Sequence, residues 1–382
     1  MPPPRRVVLA DDTFSADAAY RLMSEGTALL WQGDYHQARQ MLQALTRRID
    51  KPRKGAKSAK TSTAAQTAKN AQTAFHQHRQ RQAHKARILG LLLMPLDADL
   101  HLKLRRAPDV REACQAAWGQ TSHDAGASEP CVISLRELLG LIGAHEWRKT
   151  GVAIAALKGR IHAHYGVFSP VRGEYVDLVA QAPLPAGCTE AFDIGVGSGV
   201  LSAVLAQRGV ARVVATDLDP RALACAAANL TQLGLIDQVE FQQLDLFPAG
   251  RAKLVVCNPP WVPATPSSPI EHAVYDPDSR MLKGFLNGLA AHLSKGHGDG
   301  GDSHGGPRDD PGGEGWLILS DLAEHLGLRP REQLQAWIDA AGLKVLGRLD
   351  AKPRHPKASD PSDPLHQARA REVTSLWRLG AA

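Results

Sequence analysis

Between residues 189 and 320, short apolar runs alternate with amphipathic ones, and this alternation constrains the chain more than any other feature. TEAFDI (189–194), ARVVAT (211–216), QVEFQQL (238–244), KLVVCN (253–258) and GWLILS (315–320) have the length of strands. Between them, stretches such as LSAVLAQRG and PRALACAAANLTQLG carry helical spacing. Strands separated by helices pair in parallel, and a parallel sheet has to be covered on both faces. The expected fold class is therefore α/β, a doubly wound, Rossmann-like sheet. Two later apolar runs, GLKVLGRL and REVTSLWRL, have no helical pattern between them; they close the sheet as an antiparallel pair and complete seven strands.

With 382 residues, 43% of them hydrophobic, the chain has room for about two domains. Residues 14–48 carry apolar residues at helical spacing on both sides of Gly33-Asp34, which predicts a helical hairpin over 1–50. The piece EGTALLWQGDYHQARQMLQAL resembles one tetratricopeptide unit, but it does not recur, and such repeats need roughly three neighbours to stand. A lone hairpin packed on something else is the reading kept. Residues 51–75, beginning KPRKGAKSAKTSTAAQ, form a low-complexity basic tract too poor in apolar surface to order itself, hence a linker. A helical N-terminal domain is expected over 76–160, including ISLRELLGLIGAHEW, followed by the α/β domain over 161–382. Within it, the Gly/Asp/His/Pro-rich stretch 296–313 is expected to be a disordered insertion and 351–369 a second long loop.

The net charge of +6 is local: residues 51–96 hold ten Lys/Arg and no acid, so the rest of the chain is net negative. Such a tract can contact RNA phosphates. Five scattered cysteines without a CxxC pair, and no His cluster at ligand spacing, suggest neither a disulfide framework nor a metal site. The run VVLA near the N-terminus is too short for a signal-peptide core, and ILGLLLMPL (88–96) is about half a membrane span. A cytoplasmic protein without a membrane segment is expected.

AFDIGVGSGVLSAVLA places Asp193 at the end of the first strand, then Gly195, Val196, Gly197, Ser198 and Gly199, then a helix. Open α/β sheets bind ligands at the carboxyl ends of their strands, and glycines there let a ligand lie against backbone. The G-x-G-x-G spacing departs from the G-x-G-x-x-G of dinucleotide sites, which disfavours an NAD-dependent oxidoreductase. Asp193, two residues ahead of the first glycine, suits a ligand that bears an ammonium group. At the end of the second strand Asp217 suits the two hydroxyls of a ribose, unless it merely caps the next helix, a place Asp219 suits better. The third strand ends LDLF, where Asp245 suits an adenine amino group beside Leu246 and Phe247. The ligand these residues describe is an adenosine carrying an amino acid.

DIGVGSG, the Asp217 strand end, LDLF and Asn258-Pro259-Pro260-Trp261, in this order over about 160–380, resemble a class I S-adenosylmethionine-dependent methyltransferase. The resemblance implies that Asp193 to Gly199 contact the methionine part of S-adenosyl-L-methionine, Asp217 the ribose, and Asp245 with Leu246 the adenine, with Asn258 at the reactive end. An amide or aromatic NH₂ is a poor nucleophile because its lone pair is delocalised. The Asn258 side-chain carbonyl and the Pro259 backbone carbonyl, whose direction the prolines restrict, can accept its two N–H bonds and draw that lone pair out. Trp261 offers a flat face for stacking a planar group. The motif narrows the resemblance to HemK-like and small-domain methyltransferases, which act on glutamine side chains of release factors and ribosomal proteins or on adenine and guanine amino groups. Tyr or Phe is more usual where Trp261 stands. YGVFSPVRGEYVDLV (165–179) resembles the lead-in segment of ribosomal-RNA guanine methyltransferases, whereas YDPDSRMLKGFL (275–286) resembles HemK-like glutamine methyltransferases. The expected activity is N-methylation in the translation apparatus, a protein glutamine ahead of an rRNA or tRNA base; the alternative of a different class is a non-catalytic binding module on the same fold.

Overall fold

The computed structural model describes residues 3–51, 64–119, 129–266, 269–296, 312–354 and 360–382. Two compact units divide the chain, residues 1–63 with 76–149 and residues 64–75 with 150–382. Much of the basic tract and nearly all of the insertion expected at 296–313 lie outside the described residues, as does the middle of the 351–369 loop.

The first unit is an α/β layer, which corrects the all-helical expectation for 1–50 and 76–160. It runs β1 (Arg6–Ala10), α1 (Ala16–Ser24), β2 (Thr27–Trp31), α2 (Tyr35–Asp50), the part of α3 (Ala64–Leu89) from residue 76 onward, β3 (Leu92–Leu96), α4 (Arg111–Trp118), β4 (Cys131–Ser134) and α5 (Leu135–Thr150). β1, β2 and β3 pair in parallel and β4 closes the sheet antiparallel. β2 and β3 are buried along nearly their whole length, so ALLW and LLMPL are continuous apolar runs that periodicity alone does not separate from helix. Gly33-Asp34 is the passage from β2 into α2, with Asp34 as N-cap accepting from the His36 and Gln37 amides at 2.8 and 3.4 Å. Residues 64–75, expected as linker, form the start of α3, a segment rich in the helix formers Ala and Gln.

The second unit opens with a short antiparallel ribbon, β5 (Val152–Ile154) and β6 (Gly159–Ile161). It continues with α6 (Glu174–Gln181), β7 (Glu190–Ile194), α7 (Val200–Gln207), β8 (Arg212–Asp217), α8 (Pro220–Gln232), β9 (Val239–Gln243), β10 (Leu254–Cys257) and α9 (Arg280–His292). β11 (Glu314–Ser320), α10 (Leu322–His325), α11 (Arg331–Ala340), β12 (Leu343–Ala351), α12 (His366–Arg369) and β13 (Thr374–Ala381) complete it. The seven strands lie in the order β12-β13-β11-β10-β7-β8-β9, parallel from β11 to β9, with β13 antiparallel to both β11 and β12. This is the doubly wound sheet with its closing antiparallel pair that the sequence predicts. Among the described residues, no helix is long and apolar enough to cross a membrane.

One face of the sheet is covered by α6, α7 and α8 through residues such as Tyr175, Leu201, Leu205 and Leu230, and the other by α9 and α11 through Phe285, Leu289, Leu334 and Ile338. Strand order reverses between β7 and β10, since β8 and β9 extend to one side and β11 to the other. At such a reversal the segments leaving the two strands diverge to opposite faces and leave a crevice at the carboxyl ends. Phe285 is fully buried and stacks on Phe247, ring centroids 5.7 Å apart, which ties α9 to the end of the third parallel strand. Replacing Phe285 with Ala is expected to cost about 3–5 kcal/mol of unfolding free energy; urea denaturation followed by circular dichroism measures it.

Candidate active site

Asp193 sits near the end of β7 with its side chain buried, accepting from Ser202 Oγ at 2.6 Å. Burial pushes its carboxyl up to about 6; the Ser202 hydrogen bonds oppose the rise and the nearby Asp217 charge adds to it. A carboxylate so far from water ionises readily only beside a cation, and an ammonium group is one. The loop that follows is pinned onto the neighbouring strand, because the Gly195 and Val196 amides both donate to the Thr216 carbonyl at 2.9 Å. Gly195 and Gly199 both adopt left-handed backbone, φ 76° and 80°. A Cβ on Gly195 would displace the flexible Met281 side chain, 2.6 Å away at Cε, and one on Gly199 would press on the Ala226 backbone at 3.0 Å, so at both positions a side chain adds crowding to a strained φ.

Asp217, at the end of β8, takes the Gly197 amide on Oδ2 at 3.1 Å and the Asp219 amide on Oδ1 at 2.9 Å, and burial raises its pKa. Each oxygen keeps a lone pair for a hydroxyl. Asp219 is the N-cap of α8, accepting from the Arg221 amide at 2.9 Å, so Asp217 is not needed there. Leu218 stands between them with 60% of its surface exposed, an apolar face beside the Asp217 carboxylate that the sequence alone does not single out although it adjoins Asp217. Asp245 and Leu246 are placed less simply. Asp245 is exposed and ion-paired with Arg280 at 2.5 Å, a surface pair of small energetic weight. Leu246 holds φ 76°, gives its carbonyl to Thr216 Oγ1 at 2.5 Å and packs its side chain against Gly284 of α9.

Asn258 is the first residue beyond β10. Because Cys257 pairs with Ile194, Asn258 emerges across from Gly195, and the motif and the glycine loop flank the strand-order reversal. Pro259 is buried, and Trp261, half-buried, donates its indole N–H to Asn258 Oδ1 at 2.8 Å. The Arg172 guanidinium lies 4.9 Å from the Trp261 ring centre. Arg172 is itself held by the buried carboxylates of Glu174 at 2.8 Å and Glu372 at 3.0 Å, and Ser320 Oγ donates to Glu372 at 2.6 Å. The Trp261 carbonyl accepts a long, 3.5 Å bond from Arg329, whose side chain is buried. Beyond the motif, Val262 forms a bridge with Tyr275, and the buried Asp276 caps α9 by accepting from the Met281 and Leu282 amides at 3.0 and 3.1 Å. Sequence reasoning missed Arg172, Glu372 and Asp276. Asp276 carries a local signal, an acid shortly before a helical run; the Arg172–Glu372 pair, 200 residues apart, carries none.

Strand ends that gather a buried carboxylate, left-handed glycines, an acceptor pair at Asp217 and the exposed Leu218 suit S-adenosylmethionine. Comparison with known proteins agrees. The family described as "Methyltransferase small domain" matches residues 158–274. The chain is 33% identical over 186 residues to the release factor glutamine methyltransferase of Cereibacter sphaeroides, covering 46% of this chain and 60% of that relative. Against the release factor glutamine methyltransferase of Xylella fastidiosa strain Temecula1 the identity is 30% over 260 residues, 62% of this chain and 83% of the relative. Against the tRNA1(Val) (adenine(37)-N6)-methyltransferase of Shewanella loihica it is 35% over 115 residues, 28% of this chain and 46% of the relative. The chain thus spans less than two thirds of the first and third of these relatives.

The raised Asp193 pKa sets an expected pH dependence. Its carboxyl must be ionised to face an ammonium group, so affinity for S-adenosylmethionine should be flat above about pH 7 and weaken as pH falls through about 6. Calorimetric titration from pH 5 to 8 checks this. Asp193→Asn should bind about 10- to 100-fold more weakly and lose the dependence.

Proposed function

We propose, from the premise that this chain belongs to the HemK-like class I S-adenosylmethionine-dependent methyltransferases, that it methylates the side-chain nitrogen of a protein glutamine in the translation apparatus. The observation that carries the reading is the emergence of Asn258 across the β7–β10 pair from Gly195, which brings the amide-selective motif to the cofactor loop. Two glutamine-directed relatives, one of them covered over 83% of its length, support glutamine as the acceptor.

Bound S-adenosylmethionine supplies a methyl group on a sulfonium. The protein's part is to aim a nitrogen lone pair at that methyl. Asn258 Oδ1 has two lone pairs and gives one to Trp261, so one remains for an acceptor N–H. The Pro259 carbonyl takes the second N–H, and with both held the nitrogen leaves the plane of its own amide and its lone pair localises. Transfer would make a nitrogen–carbon bond at the expense of the methyl group's bond to sulfur. The methylated nitrogen, now strongly acidic, loses its proton to water, so no strong general base is required.

A second reading, methylation of an adenine amino group in RNA, is favoured by the Shewanella relative and by the exposed basic side chains Arg81 and Arg87 of α3, which suit phosphate contacts. Both readings place the enzyme in the cytoplasm beside ribosomes. Labelled S-adenosylmethionine incubated with release factors, ribosomes and RNA fractions from a strain lacking the protein separates them. Label in release factor or ribosomal protein is the expected result, label in RNA alone moves the assignment to the nucleobase, and failure to bind the cofactor leaves a non-catalytic binding module. Asn258→Ala should lower kcat by roughly 10²–10³ while changing cofactor affinity by no more than about twofold.

A further inference from the structure

A stacking platform presents an open ring face to its ligand. Trp261 is instead built into the protein: Arg172 lies 4.9 Å from its ring centre, Glu174 and Glu372 lock that guanidinium, and the indole packs against three separate apolar clusters that include Val256, Leu282 and Leu322. Its polar edge is committed too, through the 2.8 Å bond from Nε1 to Asn258 Oδ1. An indole N–H only donates, so the atom facing it has to be the amide oxygen and not the amide nitrogen. The bond therefore selects one of the two orientations an asparagine amide can take, and it does so at the group that has to present an oxygen to the acceptor. Tyr and Phe have no ring N–H that can play this part.

We infer that Trp261 is a positioning residue, which fixes the Asn258 amide with its oxygen available to the acceptor NH₂, and that Arg172 with its two carboxylates holds the indole in place for this purpose. Without the indole N–H the Asn258 amide rotates or flips, and the fraction of enzyme that presents an oxygen falls. The acceptor still binds, because its affinity does not come from this ring. The loss therefore belongs to kcat and not to KM.

The kinetic test rests on the methyltransferase reading; the structural test does not. In ¹⁵N-labelled full-length protein, the Trp261 indole N–H signal, identified by its loss in Trp261→Phe, should exchange slowly with solvent. In Asn258→Ala it should move upfield and exchange at least about tenfold faster. A signal that Asn258→Ala leaves in place overturns the inference, whatever the protein methylates. With labelled S-adenosylmethionine and purified release factor, Trp261→Phe and Trp261→Tyr should keep KM within about twofold and lose about tenfold in kcat. In an Asn258→Ala background the same changes should cost nothing further, since the group being positioned is gone. Unchanged kcat with a raised KM is the signature of a stacking platform and overturns the inference. If wild-type protein binds the cofactor but labels neither protein nor RNA, the functional reading fails and the indole signal still decides this one.

Discussion

The parallel pairing of β7 with β10 is the contact on which the site depends. Both strands are buried along almost their whole length, and their register, Cys257 opposite Ile194, brings the glycine loop and Asn258 out side by side at the point where strand order reverses. A slip of one residue would exchange the faces of every side chain on the strand and carry Asp193 away from Ser202. Packing on both faces forbids that slip: α6 to α8 on one side and α9 with α11 on the other take up alternate residues of these strands.

Around this pair the structure buries polar groups, each of which costs free energy unless it is bonded. Asp193 is held by Ser202, and Arg172 by two carboxylates, one of which also accepts from Ser320. Such buried charges are poor sources of stability, because desolvation takes back much of the attraction. Their effect here is geometric. A carboxylate pair leaves Arg172 little choice of rotamer, Arg172 in turn restrains Trp261, and Trp261 restrains Asn258, so the rigidity of the sheet reaches an amide in the loop beyond it.

The second unit was legible in the sequence and most of the first was not, for one physical reason acting in two contexts. In the second unit each apolar run ends at residues with strict backbone or hydrogen-bonding demands, Gly195 to Gly199, Asp217, and Asn258 with two prolines, so strand and ligand end announce themselves together. In the first unit ALLW and LLMPL are equally buried strands without such punctuation, and they sit next to amphipathic stretches that extend their apparent helical period. Asp217 shows the intermediate case. Its alternative role as a helix cap was open in the sequence, and the hydrogen bond from the Arg221 amide to Asp219 closes it.

The sequence by itself determined the α/β class of the second unit, the order of its motifs along the sheet and the residues that stand at the strand ends. Those follow from local requirements: a left-handed φ favours glycine, and proline fixes the direction of the chain that leaves a strand. Only the tertiary structure decided that Leu218 is the exposed apolar face beside Asp217, that Glu372 reaches Arg172 across 200 residues of chain, and that the indole of Trp261 turns its N–H onto Asn258. These arise where side chains from separate segments converge, and such a meeting leaves no period or spacing in the chain that makes it.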